Sequence, residues 1–194
     1  MISDKDRRWW FGASDSQKIL SPNHNSNSWQ SWWRVKCGIE EQEFTGNKYT
    51  DAGTRFEHPI LECFDKNINK DRQLIIEELR LRVNYDGDLD NNIFEVKTHK
   101  AENPFEITQY IYAQVQTQMY VWKQCMDEFK HLYVLSYALT EDDYRNDEPT
   151  ANDIDFGRIK IHKVKYSRGH VKRFLKALEP LAKDLSEIAK EKEE

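Results

Sequence analysis

The apolar positions of this chain change period along its length, and the changes mark out its elements. In ASDSQKILS (13–21) a polar start, capped by Ser14 or Asp15, leads to inward-facing Ile19 and Leu20, the pattern of a short helix. SPNHNSNS (21–28) has no apolar period and reads as a loop. WQSWWRVKCG (29–38) reads as a helix closed by Gly38. Helical spacing returns at Phe56, Ile60, Leu61 and Phe64, in a helix beginning at Thr50 or Asp51 in which Pro59 marks a kink or a late true start.

Period two takes over in QLIIEELRLRVNY (73–85), read as one half-buried strand: Leu79, Leu81 and Val83 share a face, and Arg80, Arg82 and Asn84 share the other. NIFEVKT (92–98) is its partner. Residues 106–125 form the longest helix, HLYVLSYAL (131–139) and RIKIHKV (158–164) are further strands, and a polar acidic loop (140–157) separates those two. From Ser167 an amphipathic helix carries Phe174, Leu175, Leu178, Leu181, Leu185 and Ile188, with an interruption at Pro180. This order predicts an α/β (α+β) fold, a central mixed sheet flanked by helices. One domain is expected, with an N-terminal helical part (1–50), a core (51–166) and the C-terminal helix (167–194).

Composition narrows the classes. The chain has 194 residues, 38% of them hydrophobic, which is enough for a real core, and a net charge of −5 argues against a general nucleic-acid coat. A local basic groove around an acidic metal site stays compatible with that charge, because the ions supply positive charge themselves. Cys37, Cys63 and Cys125 are widely spaced, with no C-x-x-C pair, so neither a disulfide framework nor a zinc or iron–sulfur site is indicated. No histidine pair has zinc-hydrolase spacing, and no G-x-x-x-x-G-K-[ST] run is present. The opening MISDKDRRWWFG lacks a signal-peptide apolar region, and the expected location is the cytoplasm.

The candidate chemistry lies in YDGDLDNNIFEVKTHK (85–100). With Asp90-Asn91 as a two-residue turn needing positive φ, Leu89 pairs with Asn92 and Asp86 lies opposite Glu95. Residues two apart in a strand face the same way, so Glu95 and Lys97 share one face while Phe94 and Val96 take the other. Two carboxylates can hold one or two hard divalent cations, Val96 can add its backbone carbonyl, and a lysine beside them can orient attacking water or stabilise charge on a phosphate. Asp88 competes with Asp86 on the same face. Hairpins with acidic tips are also ordinary, and the string alone is a weak signal. Gln114, Gln116 and Gln118 stand out on an otherwise apolar helix, since buried amides need partners. Five tryptophans crowd the first 33 residues; most suit a core, and one or two suit stacking on splayed bases.

Taken in order, FGASDSQKIL (11–20), GTRFE (53–57), YDG (85–87), FEVK (94–97) and YAQVQTQMYVW (112–122) resemble the motifs of PD-(D/E)XK nucleases, most closely the lambda-exonuclease and YqaJ-type viral recombination branch. The likeness spans roughly residues 7–122; the family's proline before the aspartate is replaced by Tyr85. The resemblance implies a restriction-endonuclease-like core and a Mg2+-dependent DNA exonuclease, with Mn2+ able to substitute, resecting duplex ends 5′ to 3′. It implies a metal set of Asp86, Glu95, Glu57 and the Val96 carbonyl, with Lys97 as the catalytic lysine and Gln114 arranging the site. DNA contacts fall on Ser14, on Arg7 or Arg8 at a 5′-phosphate, on Gln116 as an alternative register, and on Tyr120. The implied partners are double-stranded DNA ends, a single-strand annealing protein and further copies in a trimeric ring, in a bacterial host cell. An endonuclease or repair nuclease would carry the same residues, and a non-catalytic DNA-binding protein could keep the same fold.

Overall fold

In this computed structural model the structure describes residues 8–41 and 47–193. After a 3-10 turn at Ala13–Asp15 comes α1 (Ser16–Ile19), then α2 (Asn27–Lys36), whose first turn is capped by the Ser26 hydroxyl on Trp29 N–H at 3.2 Å. The chain leaves α2 through Gly38 at φ +61, where a Cβ would strike the Trp9 ring. Helix α3 (Lys48–Phe64) starts earlier than expected: Asn47, not Thr50 or Asp51, caps it by accepting from the Tyr49 and Thr50 N–H groups. Pro59 lies inside α3 and does not begin it.

The run read as one strand is two. β1 (Asn69–Ile76) and β2 (Leu81–Leu89) pair antiparallel, with Leu74 opposite Val83, across a tight turn at Glu77–Leu79. The reversal ends on Arg80 at φ 50, and the N-terminal segment clasps it: Arg80 Nε donates to the Trp9 carbonyl at 3.0 Å, and Phe11 N–H donates to the Arg80 carbonyl at 2.7 Å. The alternation is regular only from Leu79 onward and breaks at Ile75-Ile76-Glu77-Glu78, next to the turn, whose backbone partners lie about 70 residues upstream.

β3 (Asn92–Lys100) follows β2 antiparallel, and α4 (Gln109–Cys125) crosses over to β4 (His131–Leu139), which lies parallel to β3. Short 3-10 turns fill the acidic loop before β5 (Ile159–Val164), which is antiparallel to β4. The mixed sheet therefore runs β1-β2-β3-β4-β5. Helix α5 (Arg168–Glu193) continues through Pro180, contrary to the interruption expected. That proline is exposed, so the carbonyl deprived of a helical bond can be hydrated.

Two apolar layers flank the sheet. On one face Val115, Met119 and Trp122 of α4 and Phe174 and Leu178 of α5 pack on Val83, Ile93 and Val134. On the other, Ala52, Phe56, Ile60 and Leu61 of α3 pack on Phe94, Val96 and Leu135. Each layer reflects period two in the strands meeting a helical stripe. Among the described residues no helix is long and apolar enough to cross a membrane.

Candidate active site

The hairpin turn follows its sequence: Asp90 and Asn91 have φ of 49 and 64, and Leu89 faces Asn92. The β2–β3 ladder runs back to Gly87–Phe94. Beyond it the Asp86 carboxylate takes the place of a backbone acceptor and receives the Val96 N–H at 2.7 Å. In a strand the N–H and C=O of one residue leave on the same side, so the Val96 carbonyl faces this gap too.

Strict alternation fails at Asp86. Tyr85 turns to α4, donating its hydroxyl to the Gln118 carbonyl at 2.8 Å, whereas a Cβ on Gly87 would meet Leu61 of α3 and Ile68. Residues two apart thus face opposite layers, and Asp86 sits at the reversal. This separates it from Asp88, whose buried carboxylate is held by Arg72 Nε at 2.6 Å and Asn69 at 3.1 Å. The expectation that the two share a face does not hold.

Asp86 instead lines a cavity of about 260 Å³ together with Glu57 from α3, Glu95 and Lys97 from β3, and Gln114 from α4. Ser14 adds to its wall, with Trp10 beside it. Glu95 is 1% exposed, and donors hold both of its oxygens: Lys97 and the Gln114 amide on Oε1, the Gln118 amide on Oε2. Gln114 and Gln118 are one helical turn apart on α4 and act as a two-pronged amide clamp.

The electrostatics are lopsided. Burial pushes the Asp86 carboxyl well above the usual carboxylate range, and the Glu95 and Glu57 charges add to that. Burial likewise raises Glu57, with Glu95 next. Burial works against the Lys97 charge, yet Glu95 and Asp86 outweigh it and hold its pKa above the ordinary lysine value. Four carboxylates (Asp15, Glu57, Asp86, Glu95) line the cavity with three cations (Lys36, Arg82, Lys97), and Lys36 pairs with Asp15, so the lining keeps a surplus negative charge on oxygen donors, which fits a hard divalent cation. Among the described residues, a different trio, Glu57, His58 and Asp71, brings three ligand atoms within 4.8 Å of one another. Asp86, Glu57 and Glu95 do not form such a group, with the Glu95 oxygens turned to Lys97 and the two amides.

Other expected residues lie elsewhere. Gln116 is fully buried and spends its amide on backbone, donating to the Lys165 carbonyl at 2.8 Å and accepting the Ser167 N–H at 2.7 Å, so it ties down the start of α5 and offers DNA nothing. Tyr120 lines a separate groove against Tyr166, Val171 and Leu175. Arg8 is exposed and is not among the residues lining the cavity, and Arg7 lies outside the described residues.

The sequence marks Gln118 as an amide in need of a partner but does not place it in the site, although its spacing of four from Gln114 was a usable signal. It also missed a buried ion pair, Lys36 Nζ to Asp15 Oδ2 at 2.6 Å. Asp15 further accepts from Gly12 N–H at 2.7 Å and Trp32 Nε1 at 2.8 Å, and together these bonds fix the segment that walls the cavity. No local pattern links positions on such different elements.

A family model described as the YqaJ-like viral recombinase domain matches residues 4–126, more than half of the chain. No curated protein matches. Among solved structures, the alkaline exonuclease LHK-Exo of Laribacter hongkongensis superposes with a TM-score of 0.63 at 15% identity, covering 96% of this chain and 93% of that one. Its complex with dAMP gives 0.65 at 14% identity, with coverage of 96% and 93%. A phage-related exonuclease from Haemophilus somnus 129PT gives 0.65 at 15%, covering 94% of this chain and 96% of that one. At these identities the likeness carries the fold.

Proposed function

The chain belongs to the YqaJ-like viral recombinase family, and from that premise we propose that it is a metal-dependent deoxyribonuclease that shortens duplex DNA from its ends. The observation that carries this reading is the meeting of Glu57, Asp86, Glu95, Lys97 and Gln114, drawn from four elements, in one cavity. The exonuclease titles of the structural neighbours, one of them bound to dAMP, support a deoxynucleotide substrate.

In this reading Asp86, Glu95, Glu57 and the Val96 carbonyl hold Mg2+, with Mn2+ a working substitute. When bound, the cation lowers the pKa of attacking water and offsets charge on the phosphodiester. The chain's own groups do the rest. Gln114 and Gln118 hold Glu95 in one orientation, each donating an amide hydrogen bond to a different carboxylate oxygen. The Val96 N–H holds one oxygen of Asp86 in place. Lys97 stays charged, so its role is to orient water and meet the negative charge gathering on the phosphate oxygens. The finer features belong to the same proposal: 5′-to-3′ resection, Ser14 and an N-terminal arginine at the DNA phosphates, a single-strand annealing partner, a ring of three copies, and work in the bacterial cytoplasm.

Digestion of linear duplex with and without a 5′-phosphate, beside a closed circle, in Mg2+ and Mn2+, tests the reading. Loss of the linear DNA alone, absent in Lys97→Ala and Glu95→Ala, is the expected result. Cutting of the circle would make the protein an endonuclease, and inactivity on both would reduce it to a binding protein.

A further inference from the structure

The six tryptophans separate into two kinds. Trp29 and Trp122 lie in the hydrophobic core, and Trp9, Trp32 and Trp33 pack against it. Trp10 belongs to neither apolar layer. It is half-buried, and among the described residues it is the one aromatic residue lining the acidic cavity.

In a cavity shared with Asp86, Glu95 and Lys97, Trp10 forgoes the full burial of Trp29 and Trp122, and unlike Trp9, Trp32 and Trp33 it is not packed on the core. It is nevertheless held firmly. The Arg80 guanidinium lies 4.7 Å from its ring centroid, a cation–π contact on one face. Its carbonyl accepts from Lys36 Nζ at 2.9 Å, and Lys36 is itself buried against Asp15. Next in sequence, Phe11 is pinned to β2 by bonds to the Arg80 carbonyl and the Arg82 N–H. A tryptophan whose backbone is tied down and whose ring has a cation on one face is placed to offer the other face to a flat partner.

We propose that Trp10 is the stacking platform for the nucleobase next to the scissile phosphodiester. This rests on the nuclease reading above and adds a substrate property to it: the end is gripped by the aromatic face that every base shares, so digestion proceeds through any sequence. Every base has a π-face, whereas hydrogen-bonded recognition of base edges would discriminate among bases.

The test uses linear duplexes whose terminal nucleotide, on either strand, is intact or abasic, with single-turnover release of that nucleotide as the readout. Wild type should release the intact nucleotide about ten-fold faster than the abasic one, the scale of one lost base stack. Trp10→Ala should slow the intact end to the abasic rate, bringing the ratio to about one, and Trp10→Phe should restore most of it. Equal rates in wild type, or a wild-type ratio in Trp10→Ala, would overturn the proposal. A second arm needs no turnover. A terminal 2-aminopurine should be quenched on binding to Lys97→Ala and stay bright on Lys97→Ala/Trp10→Ala, with anisotropy showing that both bind; equal quenching refutes the stack. Absence of cleavage with binding intact would sink the nuclease reading alone, and absence of binding would sink both. Thermal melting of the Trp10 variants separates misfolding from a lost contact.

Discussion

Asp86 and Asp88 stand two residues apart on β2, yet they live in opposite electrostatic surroundings. Asp88 is buried and matched: Arg72 grips both of its oxygens, Asn69 adds a third bond, and the guanidinium also lies over Trp122. Asp86 is buried among like charges, with Glu95 and Glu57 close by, and the Lys97 ammonium near it bonds to Glu95 instead. The first carboxylate closes a charge balance within the fold. The second leaves the balance open, which is what its proposed role as a cation ligand requires. The difference teaches that burial alone does not mark a functional carboxylate; the sign of its neighbours does.

The largest expected effect separates the pair by activity. Asp86→Asn or Lys97→Ala should cut turnover of linear duplex by on the order of 10²–10³-fold, while Asp88→Asn keeps it within a few-fold, as measured by single-turnover digestion. Equal losses at 86 and 88 would erase the distinction. Next, Gln118→Leu should weaken divalent-metal dependence about 10–100-fold, because it frees one oxygen of Glu95, whereas Gln116→Leu should leave the metal requirement alone. A titration of activity against Mg2+ reads both.

Stability should divide in the reverse sense. Asp88→Ala removes one partner of a mostly buried pair and should cost about 2 kcal/mol, below the full buried-pair figure because Arg72 is partly exposed. A lowered urea midpoint at unchanged slope would register it. The smallest effect concerns Asp86 without metal. Its folded pKa lies above the unfolded value, so its stabilising contribution is complete below about pH 4 and is lost as pH rises through the folded pKa. Asp86→Asn should therefore melt above wild type in chelator at neutral pH, with the gap closing in acid. Mg2+ should raise the wild-type melting temperature and leave the variant unmoved. A variant that melts lower in chelator would show that Asp86 is balanced after all.

Much of the frame was legible from local pattern. The Asp90-Asn91 turn, the split of Phe94 and Val96 from Glu95 and Lys97, and the helix carrying Gln114 all follow from period and turn chemistry. Legibility failed where a remote group intervened. The turn at Glu77–Arg80 depends on Trp9 and Phe11, the strength of α5 at Pro180 on exposure, and the division of labour among the three glutamines on what each amide faces. The spacing of four sets Gln114 and Gln118 on one helix face apart from Gln116, but nothing local says that this face meets Glu95.

The sequence by itself determined the periods of the strands and helices, the hairpin's register and the ordered appearance of the motif residues, because these depend on neighbours within a few positions. Only the tertiary structure decided that Asp86 and not Asp88 faces Glu57, that Gln118 joins Gln114, and that Trp10 stands in the cavity wall. Each of those outcomes turns on a charge or ring delivered from a distant element, Arg72 to Asp88 and Arg80 to Trp10, and pairing energies of that kind are set by three-dimensional proximity, which no local period encodes.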